Sequence, residues 1–472
     1  MKRLRFLTRL VVVLWVIPGL RAAEPAADPR PNVVWLIVDD MNLFGFLHEQ
    51  PGMITPNMDR LRERAVTFPQ GVCNAPSCVP SRASMFSGQY PFTTGSYLNG
   101  SDPWEKPVMA GIDSLPEQFK AGGYKVWAGG KVFHAKLTPE RKAAAFDNDP
   151  RAGGFGPFVY PEDRLIGSWG KWWGSSAWDG PDSDFPDNRN TDDAMAFLGE
   201  EHQEPFCLIL GLWRPHTPFT APRRFFEMYD KDTLPFPPAS WSEDDMADVP
   251  EMGRRLSSVW GQRWERTGAD DPELWRQILW GYYACTSFAD YNIGRVLDAL
   301  AESAYAENTM VVLVSDNGYH VGEKNHFEKS TLWSTSARIP FAVQLPGGVN
   351  GGRTSQATVG LIDLFPTLMD YCGLPAPRQR IEGKSMREVL ENPSAKWSRP
   401  GITVYEENMF SVTDGRFRYI RYADGSEELY DLSDDPYEFT NRAEDPRLAD
   451  VKARLARSLP EYWAPTMGGR EG

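Results

Sequence analysis

The chain has 472 residues, of which 41% are hydrophobic and 24% are charged, and its formal net charge is −14. This composition supports a substantial core and excludes global disorder, and the length fits one large α/β domain with an appendage or two to three modules. The acidity, with no long basic run to offset it, excludes general binding to nucleic acid, so an anionic ligand would need a local cationic pocket.

Residues 1–23 are predicted to be a signal peptide. They combine a basic start, a short apolar run at 10–17 and a small-residue cleavage region at Ala22-Ala23. The apolar run is shorter than the about 20 residues that span a bilayer. We therefore expect a periplasmic or secreted protein with no stable membrane insertion after cleavage; an uncleaved anchor is the alternative.

Three continuous apolar runs are typical of strands that are buried on both faces. They cover residues 32–38, 206–212 and 310–314. Because ligands bind beyond the carboxyl ends of parallel strands, we expect the polar residues after these runs to share a site. Those residues are Asp39, Asp40, His216, Asp316 and Asn317.

Helical patterns alternate with these runs. They cover 55–65, 191–199 and 284–301, and Thr191 is the expected N-cap of the second. Alternation of buried strands with helices predicts an α/β fold with a doubly wound, largely parallel sheet flanked by helices.

From about residue 400 the pattern changes to short alternating runs separated by Asp414-Gly415 and Asp424-Gly425. Asp-Gly between strand-like runs predicts β-hairpins. We therefore expect a main domain over 29–398 and a C-terminal α+β subdomain over 399–472, with a small antiparallel sheet. The predicted strands of this sheet are 402–405, 417–422 and 428–431, followed by a helix near 446–458.

The odd number of cysteines, with no Cys-x-x-Cys pair, leaves at least one thiol unpaired. Cys78 precedes Pro80, and proline is favoured at an early helix position. A helix N-terminus offers free N–H groups and a positive potential, which suit a nucleophile acting on an anionic substrate. An ordinary buried cysteine beside a turn is the alternative for this motif alone.

The run from Cys78-Val79-Pro80-Ser81-Arg82 to Gly88 resembles the type I sulfatase signature, from which it departs at Phe86 and Ser87. The resemblance covers nearly the whole mature chain and is closest to the iduronate-2-sulfatase-like branch. It implies an alkaline phosphatase-like mixed sheet and a sulfuric ester hydrolase acting on a sulfated carbohydrate. It also implies that a formylglycine-generating enzyme oxidises Cys78 to formylglycine, whose hydrate attacks sulfur.

The polar strand ends are also candidate metal ligands. Asp39, Asp40, Asp316 and Asn317 are hard oxygen donors, which suit Ca²⁺ or Mg²⁺ better than zinc. Adjacent carboxylates such as Asp39 and Asp40 would repel each other without a cation between them. The resemblance implies one Ca²⁺ per chain, bound by these four side chains and residue 78.

A sulfate ester needs cations around its oxygens and an acid for its leaving alcohol. Lys131 and His134 lie in a segment that resembles the Lys-x-x-His segment of sulfatases, and His216 lies in one that resembles their Pro-His-x-Pro segment. His134 is expected to accept a proton when sulfate is expelled. The resemblance implies a catalytic set of Cys78, Arg82, Lys131, His134, His216 and Lys329.

The other roles also follow from the resemblance. Asp316 is expected to help deprotonate the formylglycine hydrate, while Arg82 and Lys131 hold the hydrate and screen the sulfate charge. His216, with Lys329 beside it, is expected to protonate the leaving oxygen.

Two other functions fit parts of the sequence. A phosphodiesterase or phosphonate monoester hydrolase of the alkaline phosphatase superfamily is the main alternative, although six histidines are too few for a dinuclear zinc site plus catalysis. A non-catalytic binding protein on the same scaffold is the second. Asn99-Gly100-Ser101 is an N-glycosylation pattern. Candidate substrate contacts are Trp104, Trp172, Trp173, Trp178, His320 and His326.

Overall fold

The computed structural model describes residues 30–100, 102–156, 159–161, 174–237, 245–264 and 272–467. The predicted signal peptide and the candidates Trp172 and Trp173 lie outside these ranges. Within them, no helix is both long and apolar enough to cross a membrane.

The strands, in chain order, are β1 Asn32–Asp39, β2 Val66–Thr67, β3 Lys125–Gly130, β4 Ser175–Trp178, β5 Phe206–Pro215, β6 Phe219–Pro222, β7 Thr309–Ser315, β8 His320–Val321, β9 Phe327–Glu328, β10 Phe341–Gln344, β11 Gly401–Val404, β12 Phe410–Thr413, β13 Phe417–Arg421 and β14 Glu427–Asp431. The α-helices are α1 Leu43–Phe46, α2 Pro56–Arg62, α3 Cys78–Ser87, α4 Pro91–Thr94, α5 Pro107–Ala110, α6 Leu115–Ala121, α7 Pro139–Ala145, α8 Pro186–Leu198, α9 Arg223–Phe226, α10 Glu251–Trp264, α11 Pro272–Glu302, α12 Ser334–Ala337, α13 Leu364–Cys372, α14 Arg387–Glu391 and α15 Ala449–Ala456.

The central sheet has six strands in the order β2-β10-β7-β1-β5-β3. The four strands from β7 to β3 are parallel, and β10 runs antiparallel to both of its neighbours. The predicted mixed, alkaline phosphatase-like sheet is confirmed. Alternate side chains of β1 enter two different hydrophobic cores: Trp35 packs in one and Leu36 in the other. Burial on both faces explains why the strand is a continuous apolar run.

Helix α8 begins at Pro186, so the expected N-cap at Thr191 is wrong, and Thr191 is buried inside the helix. Proline is favoured at the first helical position because its missing N–H is not needed there. Asp187, in the first turn, accepts hydrogen bonds from the backbone N–H groups of Trp213 (2.7 Å) and Arg214 (2.9 Å). The first turn of α8 is therefore packed against the end of β5. The polar sequence of this turn gives no sign of that contact.

The C-terminal sheet is antiparallel, with the order β11-β12-β13-β14. Both Asp-Gly pairs form the predicted hairpin turns, since Gly415 (φ 95°) and Gly425 (φ 85°) adopt the left-handed backbone that glycine tolerates. Strand β12 was not among the predicted strands, because its sequence Phe-Ser-Val-Thr is short and follows a polar turn.

Buried polar contacts join this sheet to the segment that follows β9. Glu428 accepts hydrogen bonds from the indole N–H of Trp333 (2.8 Å) and from the hydroxyls of Tyr422 and Tyr430. Glu438 accepts one from the backbone N–H of Ser334 (2.8 Å). The C-terminal sheet therefore holds a segment that starts close to Lys329.

Replacement of Glu428 by alanine tests this joint. Glu428→Ala leaves three buried donors without their acceptor, and each unsatisfied buried group costs about 1–3 kcal/mol. We expect the free energy of unfolding in urea to fall by about 3 kcal/mol or more. The matched control is Glu388→Ala, at a 60% exposed side chain on α14, which should unfold like the wild type. Equal urea midpoints for the two variants would contradict the proposed role of Glu428.

Candidate functional site

The carboxyl ends of four neighbouring strands bring the candidate residues together. Asp39 is the last residue of β1, and Asp316 directly follows β7. His216 follows β5, and Lys131 follows β3. Because β7, β1, β5 and β3 are adjacent in the sheet, these side chains meet at one edge, as the sequence indicates.

Cys78 is the first residue of α3 and is fully buried. It has no disulfide partner, and all five cysteines of the chain are free and buried. The next residue, Val79, donates its backbone N–H to the side-chain oxygen of Asn99 (2.9 Å). Asn99 therefore supports the first turn of α3, a role that its glycosylation pattern did not reveal.

Two lysines approach the sulfur of Cys78. The Lys329 ammonium lies 2.9 Å from Sγ and also donates to Asp40. The Lys131 ammonium lies 3.6 Å from Sγ and also donates to Asp39. The Sγ atom is 3.8 Å from Oδ1 of Asp40. The Cys78 sulfur thus lies between two buried ammonium–carboxylate pairs.

Arg82 lies on the same face of α3, one turn after Cys78, and its guanidinium contacts carboxylates and carbonyls. Its Nε donates to Asp316 (2.8 Å) and its Nη2 to Asp39 (3.2 Å), while Nη1 donates to the carbonyl of Val132 (2.9 Å). Within the described ranges no hydrogen bond joins Arg82 to Cys78. Arg82 therefore orients two carboxylates beside Cys78, and its contact with a formylglycine hydrate stays a prediction.

The electrostatic setting keeps the sulfur protonated. Burial, with the nearby Asp39 charge, raises the pKa of Cys78 well above its usual value, although Lys131 and Lys329 act in the opposite direction. Burial alone would raise the pKa of Asp40, but the surrounding cationic groups, Lys329 and Lys131 among them, hold it below its usual value. The thiol is thus neutral at physiological pH and the neighbouring carboxylate is ionised.

His216 faces the same carboxylates. Its Nε2 lies 3.5 Å from Asp40 and 4.0 Å from Asp39, and its Nδ1 is 2.7 Å from the carbonyl of Thr217. The carbonyl contact assigns the proton of the neutral ring to Nδ1. Burial lowers the pKa of His216 despite the opposite effect of Asp40, so the ring is neutral. Its Nε2 then directs a lone pair towards the two carboxylates. This arrangement calls for a proton or a cation between them.

His134 completes the basic set. Burial and the charges of Lys131 and Arg82 lower the pKa of its imidazole well below the usual value. Its buried Nδ1 has no hydrogen-bond partner among the described residues. The ring is therefore neutral and one of its nitrogens lacks a hydrogen-bond partner, while the role of His134 as a proton acceptor stays a prediction.

The donor set fits a hard divalent cation. Ligand atoms of Asp39, Asp40, Cys78 and His216 all lie within 4.8 Å of one another. Asn317 donates its amide group to Oδ1 of Asp40 (2.8 Å), which leaves its own Oδ1 without a partner in the described part of the chain. Oδ2 of Asp40 is likewise buried and has no hydrogen-bond partner there, although Nε2 of His216 lies 3.5 Å away. Buried oxygens without partners are costly unless an ion or water fills the gap.

Asp316 differs from the other expected ligands. Its Oδ2 accepts from Arg82, and its Oδ1 accepts from the backbone N–H of Asp40 (3.2 Å). Burial raises the pKa of this carboxyl despite the opposing charge of Arg82.

Trp213 is a site residue that the sequence analysis did not identify. The Lys131 ammonium lies 4.3 Å from the Trp213 ring centroid, which is a cation–π contact. The ring is also 4.6 Å from the ring of His216. Its place at the end of β5, three residues before His216, is a signal that could have identified it.

Three candidate substrate contacts are wrong. Trp104 is only 2% exposed and packs against Phe133 in the core. His320 and His326 are fully buried, and both ring nitrogens of each lie within hydrogen-bond distance of protein atoms. Nε2 of His326 lies 3.0 Å from the carbonyl of Lys329, so this histidine supports the lysine backbone instead. Trp178 is half-buried, and its indole N–H donates to Asp184 (3.0 Å).

Comparison with known proteins agrees with this geometry. The Sulfatase family model matches residues 31–374, and the model for the C-terminal part of N-sulphoglucosamine sulphohydrolase matches residues 322–464. A sulfatase from Formosa agariphila is 34% identical over 456 residues, which cover 92% of this chain and 87% of the relative.

Solved structures share the fold. Phosphonate monoester hydrolase of Agrobacterium radiobacter superposes with a TM-score of 0.73 at 21% identity, over 91% of this chain and 94% of that one. BT4656, in complex with its substrate D-glucosamine-2-N,6-O-disulfate, gives 0.69 at 22% identity, over 91% and 96%. Because the Sulfatase family model matches most of the chain and the Formosa relative is similar along nearly its whole length, the chain belongs to the sulfatase family and is a hydrolase of sulfuric esters.

Proposed function

We propose that this sulfatase removes sulfate from a sulfated carbohydrate, using a formylglycine made from Cys78 beside a bound Ca²⁺. The observation that carries the proposal is the buried Cys78 sulfur between Lys131 and Lys329. A protonated, buried thiol is a poor nucleophile. Formylglycine would supply a hydrate hydroxyl as the attacking group in the same cationic position.

The buried oxygens at the strand ends would hold the calcium ion. The proposed ligands are Asp39, Asp40, Asp316, Asn317 and residue 78. The unpartnered Asp40 and Asn317 oxygens support this assignment, and oxygen-only protein ligands are those that calcium prefers. When bound, the ion would supply positive charge that polarises oxygens at residue 78 and the sulfate.

The basic residues would bind the sulfate and move protons. Lys131 and Lys329 are positioned to screen the charge on the sulfate oxygens, because both ammonium groups already point at residue 78. Arg82 would keep Asp39 and Asp316 oriented. The neutral His216 ring would first take up a proton at Nε2, and we assign protonation of the leaving oxygen to that imidazolium, with Lys329 beside it. Acceptance of a later proton is assigned to His134.

The substrate class rests on the likeness to sulfatases of sulfated sugars, and a narrower relation to iduronate 2-sulfatases remains a prediction. In this proposal the catalytic domain covers 29–398 and the C-terminal subdomain covers 399–472. Hydrolysis of phosphonate or phosphate esters is the alternative, favoured by the fold likeness to phosphonate monoester hydrolase. Rates on matched aryl sulfate, aryl phosphate and aryl phosphonate separate the two: a faster aryl phosphonate reaction would overturn the sulfatase proposal.

Mass spectrometry tests the conversion of Cys78 in protein from its native host. Trypsin cleaves after Arg64 and Arg82, so one peptide, 65–82, contains both Cys78 and Cys73. We expect its mass to be roughly 18 Da below that of the thiol form, with the loss at residue 78 in fragment spectra. Cys73, fully buried elsewhere, is the internal control. An unmodified residue 78 in fully active protein would refute the proposal.

Calcium removal tests the ion site with a readout other than activity. We expect EGTA-treated protein to melt at a lower temperature than calcium-loaded protein, because an ion at about 100 times its Kd adds about 2.7 kcal/mol of stability. Asn317→Ala should weaken this calcium-dependent shift. Asn350→Ala, in the loop after β10, removes an amide that donates to the carbonyls of Leu390 and Glu391 (2.8 Å each) and should keep the shift. A shift that survives Asn317→Ala unchanged would count against the assigned ligand.

Lys329 is tested through its charge. Lys329→Met removes the ammonium closest to the sulfur, and we expect kcat/KM for an aryl sulfate to fall on the order of 10²-fold or more. Lys384→Met, at a 46% exposed side chain on the surface, is the control and should keep wild-type kinetics. Comparable kinetics for the two variants would exclude Lys329 from sulfate binding.

The acid role of His216 predicts a dependence on the leaving group. His216→Ala should slow hydrolysis of an alkyl or sugar sulfate by about 10²–10⁴-fold, whereas a sulfate ester of an acidic phenol, which needs little protonation, should lose much less. The measurement is the slope of log kcat/KM against the pKa of the leaving phenol. A slope equal to that of the wild type would refute this assignment.

A further inference from the structure

A cavity of about 260 Å³ lies next to the site and shares His134 with it. Its wall includes Phe133, Phe146 and Phe155, and its charged lining includes Lys136 and Arg151. Ligand sites for larger molecules begin at about 300 Å³, so this space suits one sugar ring rather than an oligosaccharide. The mechanism proposed above does not use it.

The ring of Phe155 is held in place by the backbone around it. Gly154 and Gly156 both have φ of 99°, a conformation that other residues rarely adopt. The carbonyl of Gly153 accepts a hydrogen bond from Arg189 (2.9 Å), and that of Gly154 accepts one from Asn190 (3.1 Å). Both donors lie on α8, so the Gly-Gly-Phe-Gly loop is fixed to the scaffold.

Phe155 extends a row of aromatic rings that begins at Trp213, the ring on which the Lys131 ammonium lies. Its ring centroid is 5.5 Å from that of His134 and 5.6 Å from that of Trp213. The Lys131 ammonium lies over the ring of Trp213, and this ring also contacts the ring of His216. A substrate that extends from the sulfate past His134 would therefore meet the face or edge of Phe155.

Arg151 is the cation of this cavity that lies against Phe155, while Glu105 is an exposed acidic residue of the same lining and the charge of Arg151 also acts on nearby Asp149. Its guanidinium lies 4.8 Å from the Phe155 ring centroid. Lys142 and Lys136, also in the lining, already pair with Asp149 (2.7 Å) and Asp102 (3.5 Å). Within the described ranges Arg151 has no ion pair. A planar guanidinium on an aromatic face is suited to bidentate contact with a carboxylate or sulfate group.

We propose that Phe155 and Arg151 form a subsite for an acidic sugar unit next to the one that carries the scissile sulfate. The inference rests on the proposed function and narrows its substrate: the preferred carbohydrate bears a second anionic group on the neighbouring ring. That group is a sulfate or a carboxylate, which the guanidinium would bind in the same way. Stacking on Phe155 would position the sugar ring, and the guanidinium of Arg151 would favour a sugar that carries an anionic group.

The test compares disaccharides that share one scissile sulfate and differ on the neighbouring ring, which is neutral, sulfated or carboxylated. We expect wild-type kcat/KM to be higher for both charged disaccharides than for the neutral one. Arg151→Ala should reduce this preference by about tenfold, the effect of losing one charge-assisted pair. Arg151→Lys, which keeps the charge but not the fork, should restore part of it. Phe155→Ala should lower kcat/KM for all three disaccharides relative to an aryl sulfate.

The control is Arg387→Ala, which removes another exposed arginine stacked on a ring, that of Tyr371 on a remote helix (4.2 Å). It should keep the wild-type preference. A preference that is unchanged by Arg151→Ala, in an enzyme that hydrolyses the aryl sulfate, overturns the subsite alone. A wild-type enzyme that hydrolyses no sulfate ester overturns the proposed function, and the subsite falls with it. A loss for only one charged disaccharide identifies which anion the subsite takes.

Discussion

The rest of the structure depends on the burial of three carboxylates and three cations in one place. Asp39, Asp40 and Asp316 are paired with Arg82, Lys131 and Lys329, and none is more than 7% exposed. Each buried charge would cost several kcal/mol without its partner, so the segments that carry the partners must stay together. The carboxylates come from β1 and β7, and the cations from α3 and from the segments after β3 and β9. The charged side chains that surround Cys78 therefore also hold these segments together at the edge of the sheet.

The lysine after β9 depends on a strained segment. Lys324, Asn325, Glu328 and Ser330 all have positive φ, between 50° and 88°, which is unfavourable for residues other than glycine. Buried contacts on both sides offset that cost. His326 lies against the carbonyl of Lys329, and Lys324 pairs with Asp245 (2.7 Å). Residues 333 and 334 are held by Glu428 of β14 and by Glu438, which follows that strand. The small sheet contributes to the site by fixing the lysine rather than by reaching the sulfur.

Much of this arrangement could be predicted from the sequence, for reasons that also explain the failures. Strands buried on both faces leave continuous apolar runs, and Asp-Gly turns leave short signals, so β1, β5, β7 and the hairpins were identified. Long-range contacts leave no such signal. Asp187 is polar because it binds the end of β5, and because that contact cannot be read from the local sequence, the start of α8 was predicted at the wrong residue. Trp104 and His326 resemble binding residues by type alone, and only packing shows that they are internal. The contacts of Arg82 and the position of Phe155 likewise depend on segments that are distant in the chain.

The complete burial of α3 has a consequence for the order of events in the cell. Every residue from Cys78 to Ser87 is buried in the folded protein, so the oxidation proposed for Cys78 would require this stretch as an extended chain, before the helix docks. A polypeptide that folds first would keep its thiol permanently. The active fraction would then be fixed once, during biosynthesis, by competition between oxidation and folding. A slower-folding chain would for this reason mature more completely.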